Sequence, residues 1–351
     1  MTSRVHTPQE TTERANYACP GANLILRADA AQEEWLEVRK QGIGGSDVSS
    51  IVGLNRWGSA YETWSVKRGY SDGPAYNHAM RMGHLLEPVI RTLFVEDTGI
   101  KVRQAGLMRS KEHPFMQCTV DGLTPDGGIF EAKSSTGWLR EEWEDGQVPD
   151  HAELQVMHNL AVTGRSHGWI SGLLDGREFF TRRIDRDEEL IAELIEIERR
   201  FWEQNVLADV APEVTNVTLP HLKDTFAQAA DSATLQPREL VVDLRERLAK
   251  AKATIKDAEK EKDQVEAEFR LLFGEHNKIQ DEADGATTLA TLNQNGNFAP
   301  AKFKEAEPEL FEQLQVMKPT LDMDTLKSDH PETYNKYRAR VLRTPAIKEG
   351  K

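Results

Sequence analysis

Asp121, Glu131 and Lys133 are the residues whose types and spacing most directly suggest chemistry. Asp121 lies in the run Thr119-Val120-Asp121-Gly122, and after the turn Pro125-Asp126-Gly127-Gly128 the chain continues Ile129-Phe130-Glu131-Ala132-Lys133. Residues two apart in a strand point to one face, so Glu131 and Lys133 project together while Phe130 and Ala132 turn to the core. If the two runs pair, Asp121 and Glu131 converge on one cation with an ammonium beside it. Phosphodiester hydrolysis needs charge neutralisation, an activated water and help for the leaving oxygen, and a hard divalent cation supplies all three. Mg²⁺ takes one or two carboxylates, often with a carbonyl such as that of Ala132, and keeps several waters. Lys133 can then orient or help deprotonate the attacking water. The three-residue pattern alone is cheap, since Glu349-Gly350-Lys351 also matches it. Strand signals on both sides, the upstream Asp and the Gly-rich turn set the first match apart. A surface hairpin whose charges face water is the alternative on these residues alone.

The elements that must position these groups are legible as patterns. Helices are predicted around residues 33–40, 46–52 and 61–68, and Leu86, Val89, Ile90, Leu93 and Phe94 form an apolar stripe at helical spacing. Strand-like runs follow at 102–109, 115–122 and 129–134, then a helix at 152–162, strands at 168–174 and 178–184, and a helix at 187–207. This order predicts an α/β or α+β core with a mixed sheet flanked by helices. All 7 tryptophans fall within residues 33–212, where a large core belongs. For Trp57, Trp64 and Trp138, core packing is expected over stacking on unpaired bases.

Composition narrows the class. The chain is 38% hydrophobic and 29% charged, with no apolar run near bilayer length, so a membrane protein is not expected. No apolar stretch follows a basic start, which argues against a secretory signal and for a cytoplasmic setting. Cys19 and Cys118 read as two reduced thiols. His84, His113, His151 and His158 fit no zinc spacing. A formal charge of −14 argues against a basic coat for nucleic acid, but magnesium-binding carboxylates are counted in that total. The expected organisation is a polar arm at 1–30, a catalytic domain at 31–212, a linker at 213–236, a heptad arm at 237–284 and a small tail domain at 285–351. Leu244, Leu248, Ala251, Ile255, Ala258, Lys262, Val265, Phe269 and Leu272 carry the heptad, read as a helical hairpin or coiled coil, with a solvated amphipathic helix as the alternative. The tail holds an Asn295-Gly296 turn and a basic stretch at 336–343.

The motifs also run in a family order. Residues 39–47 (Arg-Lys-Gln-Gly-Ile-Gly-Gly-Ser-Asp), Gly53-Leu54-Asn55-Arg56-Trp57, Tyr61-Glu62-Thr63-Trp64 and Met82-Gly83-His84-Leu85-Leu86-Glu87-Pro88 come first. Asp121, Glu131, Ala132, Lys133, Glu153-Leu154-Gln155 and Ala161-Val162-Thr163-Gly164 follow. Together they resemble the YqaJ-like phage recombinases, relatives of lambda exonuclease in the PD-(D/E)XK nuclease superfamily, over roughly residues 33–210. The resemblance implies a restriction-endonuclease-like core and a Mg²⁺-dependent deoxyribonuclease in which Mn²⁺ substitutes. For lambda exonuclease itself it implies 5′ to 3′ digestion of double-stranded DNA by a ring-shaped trimer. By residue matching, Glu87 would be a further carboxylate on the metal, Gln155 would support Lys133 or the substrate, and Arg39 and Ser46 would hold the 5′-phosphate. Read alone, Glu87 with Pro88 could mark the first turn of a helix, Gln155 a polar helix position, Ser46 an N-cap and Arg39 a surface charge. The expected partners are double-stranded DNA ends and a phage single-strand annealing protein in a bacterial host cell. The arm and tail depart from the compact lambda enzyme, which leaves the homo-oligomer open. An endonuclease or nickase of the same fold, and a non-catalytic adaptor using the coiled coil, are the rival readings.

Overall fold

Period-two alternation makes residues 128–135 a strand with a buried Phe130 on one face and a buried Glu131 on the other, and the core is built outward from it. The structure, a computed structural model, describes residues 16–74, 77–228, 234, 236–294, 297–314 and 320–338. It comprises two units, one up to Ala227 and one from Gln228.

The first unit is a mixed α/β fold. A three-stranded antiparallel sheet joins β1 (Ala22–Leu26), β2 (Leu107–Ser110) and β3 (Gln117–Cys118). A four-stranded sheet has the order β4 (Gly122–Leu123), β5 (Gly128–Ser135), β6 (His167–Leu174) and β7 (Glu178–Asp185). Its neighbours pair antiparallel, parallel and antiparallel. The helices are α1 (Gln32–Arg39), α2 (Gly45–Ile51), α3 (Ala60–Lys67), α4 (His78–Thr98), α5 (Asp150–Thr163), α6 (Glu188–Phe201) and α7 (Leu219–Thr225). Ile90 and Phe94 of α4 pack on Phe130 and Leu173, with the Phe94 and Phe130 rings 4.9 Å apart. Ile129, on the opposite face of β5 from Phe130, joins the larger cluster containing Val156 and Leu160 of α5. Burying each such side chain stabilises the fold by roughly 1.5–3 kcal/mol, so both helices are firmly seated on the strand that carries Glu131 and Lys133.

Several expectations change. The segment read as a polar arm contains β1, and Arg165 donates to the carbonyls of Asn16 and Ala18, so its described part is docked. Alternation there is weak because β1 lies at a sheet edge. Of the run expected at 102–109, the strand begins only at Leu107 and continues to Ser110. Helix α4 begins at His78, capped by Asn77 Oδ1 accepting from the Met80 N–H at 3.0 Å. Pro88 therefore lies inside the helix and Glu87 far from its positive end. The expected linker contains α7, with Thr218 just before it and His221 within it both buried, and His221 lies 3.8 Å from Glu62 and edge-on to Tyr61.

In the second unit α8 (Arg238–Phe273) is one continuous helix, which removes the hairpin reading of the heptad. It is followed by the antiparallel pair β8 (Lys278–Gln280) and β9 (Thr288–Thr291) and by short helices α9 (Pro300–Ala306), α10 (Pro308–Gln313), α11 (Met323–Asp329) and α12 (Pro331–Lys336). The Asn295-Gly296 turn, residues 1–15 of the arm and the basic stretch from residue 339 onward lie outside the described residues.

Candidate active site

The pairing of β4 with β5 places Gly122 opposite Phe130, so Asp121 falls just beyond the paired residues, level with the strand carrying the other acid. Asp121 Oδ2 accepts the Ala132 N–H at 2.7 Å. The N–H and C=O of one strand residue face the same side, so the Ala132 carbonyl is also turned toward Asp121. Glu131 and Lys133 project from the opposite face to Phe130. Lys133 Nζ donates to Glu131 Oε1 at 2.9 Å and to Gln155 Oε1 at 2.7 Å, and Gln155 Nε2 donates to Glu131 Oε1 at 2.5 Å. Gln155 reaches this triangle from α5. The buried Glu131 keeps Oε2 without a hydrogen-bond partner, an arrangement costly for a carboxylate.

Burial, the charge of Glu131 and then that of Glu87 raise the Asp121 pKa well above the ordinary carboxylate range, while the Ala132 N–H and Lys133 only partly oppose this. Glu87 thus comes from α4 into the field of the same site, with its Oε1 accepting from Arg91 at 2.5 Å. Among the described residues no three His, Cys, Asp or Glu side chains are gathered closely enough to hold one ion. What the site does offer is a buried carboxylate with an orphaned oxygen and a half-buried one, beside a strand carbonyl. That donor set suits a hard divalent cation that keeps several of its waters. Such a charge would also relieve the mutual repulsion of the acids.

A second group forms around the turn between α1 and α2. Arg39 donates to Ser46 Oγ at 2.7 Å and to Asp47 Oδ1 at 3.2 Å, and its guanidinium lies over the Trp35 ring. Asp47 Oδ2 pairs with Lys67 at 2.6 Å and accepts the Gly44 N–H at 2.9 Å. Burial favours the neutral acid here, but the charges of Lys67 and Arg39 outweigh it and hold Asp47 well below its usual range. Ser46 is exposed, so the pair Arg39 and Ser46 faces solvent from a fixed base. Nothing in the sequence marks Asp47, Lys67 or Trp35 for this group: Asp47 ends the run at 39–47, and Lys67, 20 positions further on, meets it only through the packing of α2 and α3.

Helix α5 joins the two groups. A Cβ on Gly45 would lie 2.5 Å from Asn159 Oδ1 and 3.0 Å from Gln155 Cγ, so glycine is what lets α2 approach. Gln155 therefore touches the start of α2 on one side and the Lys133–Glu131 pair on the other. Of the tryptophans expected in the core, Trp64 is buried, Trp57 is 62% exposed, and the Trp138 side chain lies outside the described residues.

The mixed sheet, its flanking helices and the hairpin that brings Asp121 to the strand of Glu131 and Lys133 match the core that the sequence resemblance implies. The family model of the YqaJ-like viral recombinase domain matches residues 34–166. The uncharacterized protein YqaJ of Bacillus subtilis (strain 168) is 32% identical over 219 residues, covering 60% of this chain and 69% of its own. Among solved structures, the alkaline exonuclease LHK-Exo of Laribacter hongkongensis is similar at 25% identity and a TM-score of 0.45, over 51% of this chain and 94% of its own. The same enzyme in complex with dAMP matches with a TM-score of 0.46, at the same identity and coverage. A phage-related exonuclease from Haemophilus somnus 129PT matches at 15% identity and a TM-score of 0.37, over 50% of this chain and 100% of its own.

Proposed function

Because the chain belongs to the YqaJ-like viral recombinase family, we propose that it is a Mg²⁺-dependent DNA exonuclease that digests double-stranded ends from 5′ to 3′ and prepares them for recombination by single-strand annealing. The observation that carries the chemistry is the buried Glu131 with an unpartnered oxygen, beside Asp121 and within reach of Lys133. Asp121, Glu131 and the Ala132 carbonyl would hold the cation, with Glu87 reaching it directly or through water. Bound there, the ion would neutralise phosphate charge and lower the pKa of a water. Lys133, steadied by Glu131 and Gln155, would orient that water or balance the phosphate with its remaining proton. Arg39 and Ser46 would receive the terminal phosphate, a dianion that distinguishes an end from an internal diester. Double-stranded DNA ends are the substrate in this reading, an annealing protein is the partner that takes up the exposed strand, and Mn²⁺ substitutes for Mg²⁺.

The test uses purified protein with Mg²⁺ on linear and covalently closed duplexes of one sequence, labelled at either end. Digestion of the linear form from its 5′ end, stopped by EDTA and not supported by Ca²⁺, is expected. Cutting of the closed circle would make the protein an endonuclease, and intact DNA in every arm would leave a binding protein.

A further inference from the structure

Trp57 presents an indole to solvent, and its setting keeps it there. Asn55 Oδ1 accepts the Trp57 N–H at 2.8 Å while Asn55 Nδ2 donates to Ser50 of α2 at 2.8 Å, and the neighbouring Arg56 is bonded to Glu142. The loop is therefore braced internally by Asn55 and tied to the fold at Ser50 and Glu142. Behind it stands His151 of α5, edge-on to the indole with ring centres 5.9 Å apart. Both rings line a small cleft of about 130 Å³ with Leu54, Val148 and Pro149 and with the polar groups of Arg56, Glu142, Gln147 and Asp150.

The position of this cleft follows from α5. His151, Gln155 and Asn159 are spaced by four and share one face of the helix, about 6 Å per step. Asn159 lies against Gly45 beside Ser46, Gln155 holds Lys133 and Glu131, and His151 backs Trp57. Lys133 is near enough to His151 that its charge, after burial, helps to lower the histidine pKa. The terminal-phosphate residues, the cutting residues and the aromatic pair thus succeed one another along one rod, at steps comparable to the phosphate spacing of a single strand.

We propose that Trp57, backed by His151, is the platform on which the base of the second nucleotide of the digested strand stacks, immediately inside the scissile bond. This rests on the exonuclease reading and adds a recognition site to it. A base stacked there cannot remain in the duplex, so the platform holds the strand end open while the first nucleotide is removed. Stacking uses the π-face that every base has, and the platform is accordingly indifferent to sequence.

The experiment uses the full chain with Ca²⁺ and 5′-phosphorylated duplexes carrying 5-iodouracil at the first, second or third nucleotide. Irradiation is expected to crosslink the second position most strongly, to the peptide containing Trp57. The crosslink should vanish in Trp57→Ala and persist in Trp57→Tyr. Affinity for a frayed end should fall about five- to a hundredfold in Trp57→Ala, the worth of one base–aromatic stack. A protein-docking role for the ring predicts no crosslink at any position and overturns the proposal, as does a crosslink confined to the first or third nucleotide. The same duplexes with Mg²⁺ separate the two readings. If digestion from the 5′ end proceeds while Trp57 is never crosslinked, the platform alone fails; if no digestion occurs, the exonuclease reading fails with it.

Discussion

Asp121 is held in place by one backbone N–H and is crowded by two other acids, so its charge is tolerated mainly where a cation can join it. Asp121→Asn keeps the carbonyl oxygen that accepts from Ala132 and removes only that charge. Cleavage should fall by a factor of about 10² or more while the fold survives. A ligand bound only by the native state raises its stability, so Mg²⁺ should raise the melting temperature of the wild type and not that of Asp121→Asn. An equal Mg²⁺ shift in both proteins would remove Asp121 from the metal site. At the second group, Arg39→Ala should slow digestion of 5′-phosphorylated ends roughly ten- to a hundredfold more than that of 5′-hydroxyl ends. The range is that of a charge-assisted hydrogen bond worth about 1.5–3 kcal/mol. The comparison is made on one duplex sequence at one salt concentration, because phosphate affinity varies steeply with salt. Equal wild-type rates on the two ends would dismiss Arg39 and Ser46 while leaving the metal site standing.

Elements carry these residues, and α5 is fixed from behind by a buried charge pair. His158 Nδ1 lies 2.9 Å from Glu198 Oε1 on α6, and Nε2 lies 2.9 Å from the Gln117 carbonyl on β3. An acceptor against each nitrogen calls for the doubly protonated ring. Burial lowers the His158 pKa, but the charge and hydrogen bond of Glu198, the Gln117 carbonyl and the charge of Asp47 together raise it above 6.5. A raised folded-state value means that the pair's stabilisation is complete below about pH 6.5 and is lost as pH rises through the folded pKa. His158→Gln should therefore destabilise by about 3–5 kcal/mol near pH 6, the cost of stripping one partner from a buried pair, with a smaller gap at pH 9. Urea midpoints at the two pH values check this, and a gap that does not narrow would mean an uncharged ring. Gln117 also donates through its side chain to the carbonyls of Arg39 and Gly42, so the same contacts set the turn before Ser46. Much of this scale was legible in sequence. Phe130 and Glu131 announce a two-faced strand, and the stripe through Ile90 and Phe94 announces the helix above it, because local periodicity encodes which face is buried. The Lys67–Asp47 and His158–Glu198 pairs were not legible, since they depend on how separate helices pack. Trp57 misled for a related reason: an indole in sequence reports apolar area, whereas its exposure is decided by the loop bonds of Asn55 and Arg56.

At the scale of the whole molecule, every residue placed at the two groups lies in the unit that ends at Ala227, while the long helix α8 and the small strands belong to the other. Among the described residues no helix is long and apolar enough to cross a membrane. A chain ending at Ala227 keeps both sheets, α5 and the whole of α7, and is expected to unfold in one transition and retain Mg²⁺-dependent cleavage within a few-fold. A chain ending at residue 215, just inside the segment expected from sequence to be a linker, is a different matter. It loses the buried Thr218 and His221 and uncovers Tyr61 and Glu62 on α3, the helix that also supplies Lys67. Loss of one small packed helix of this kind costs about 1–3 kcal/mol, which for a domain of this size lowers the melting temperature by several degrees. Calorimetry of the two truncations, with cleavage measured well below either transition, separates the contributions. Equal melting temperatures would mean that α7 adds nothing to the core. A folded 1–227 chain that binds Mg²⁺ as the full protein does but cuts no DNA would mean that the second unit completes the DNA track, and the catalytic assignment would then have to be tested in the full chain alone.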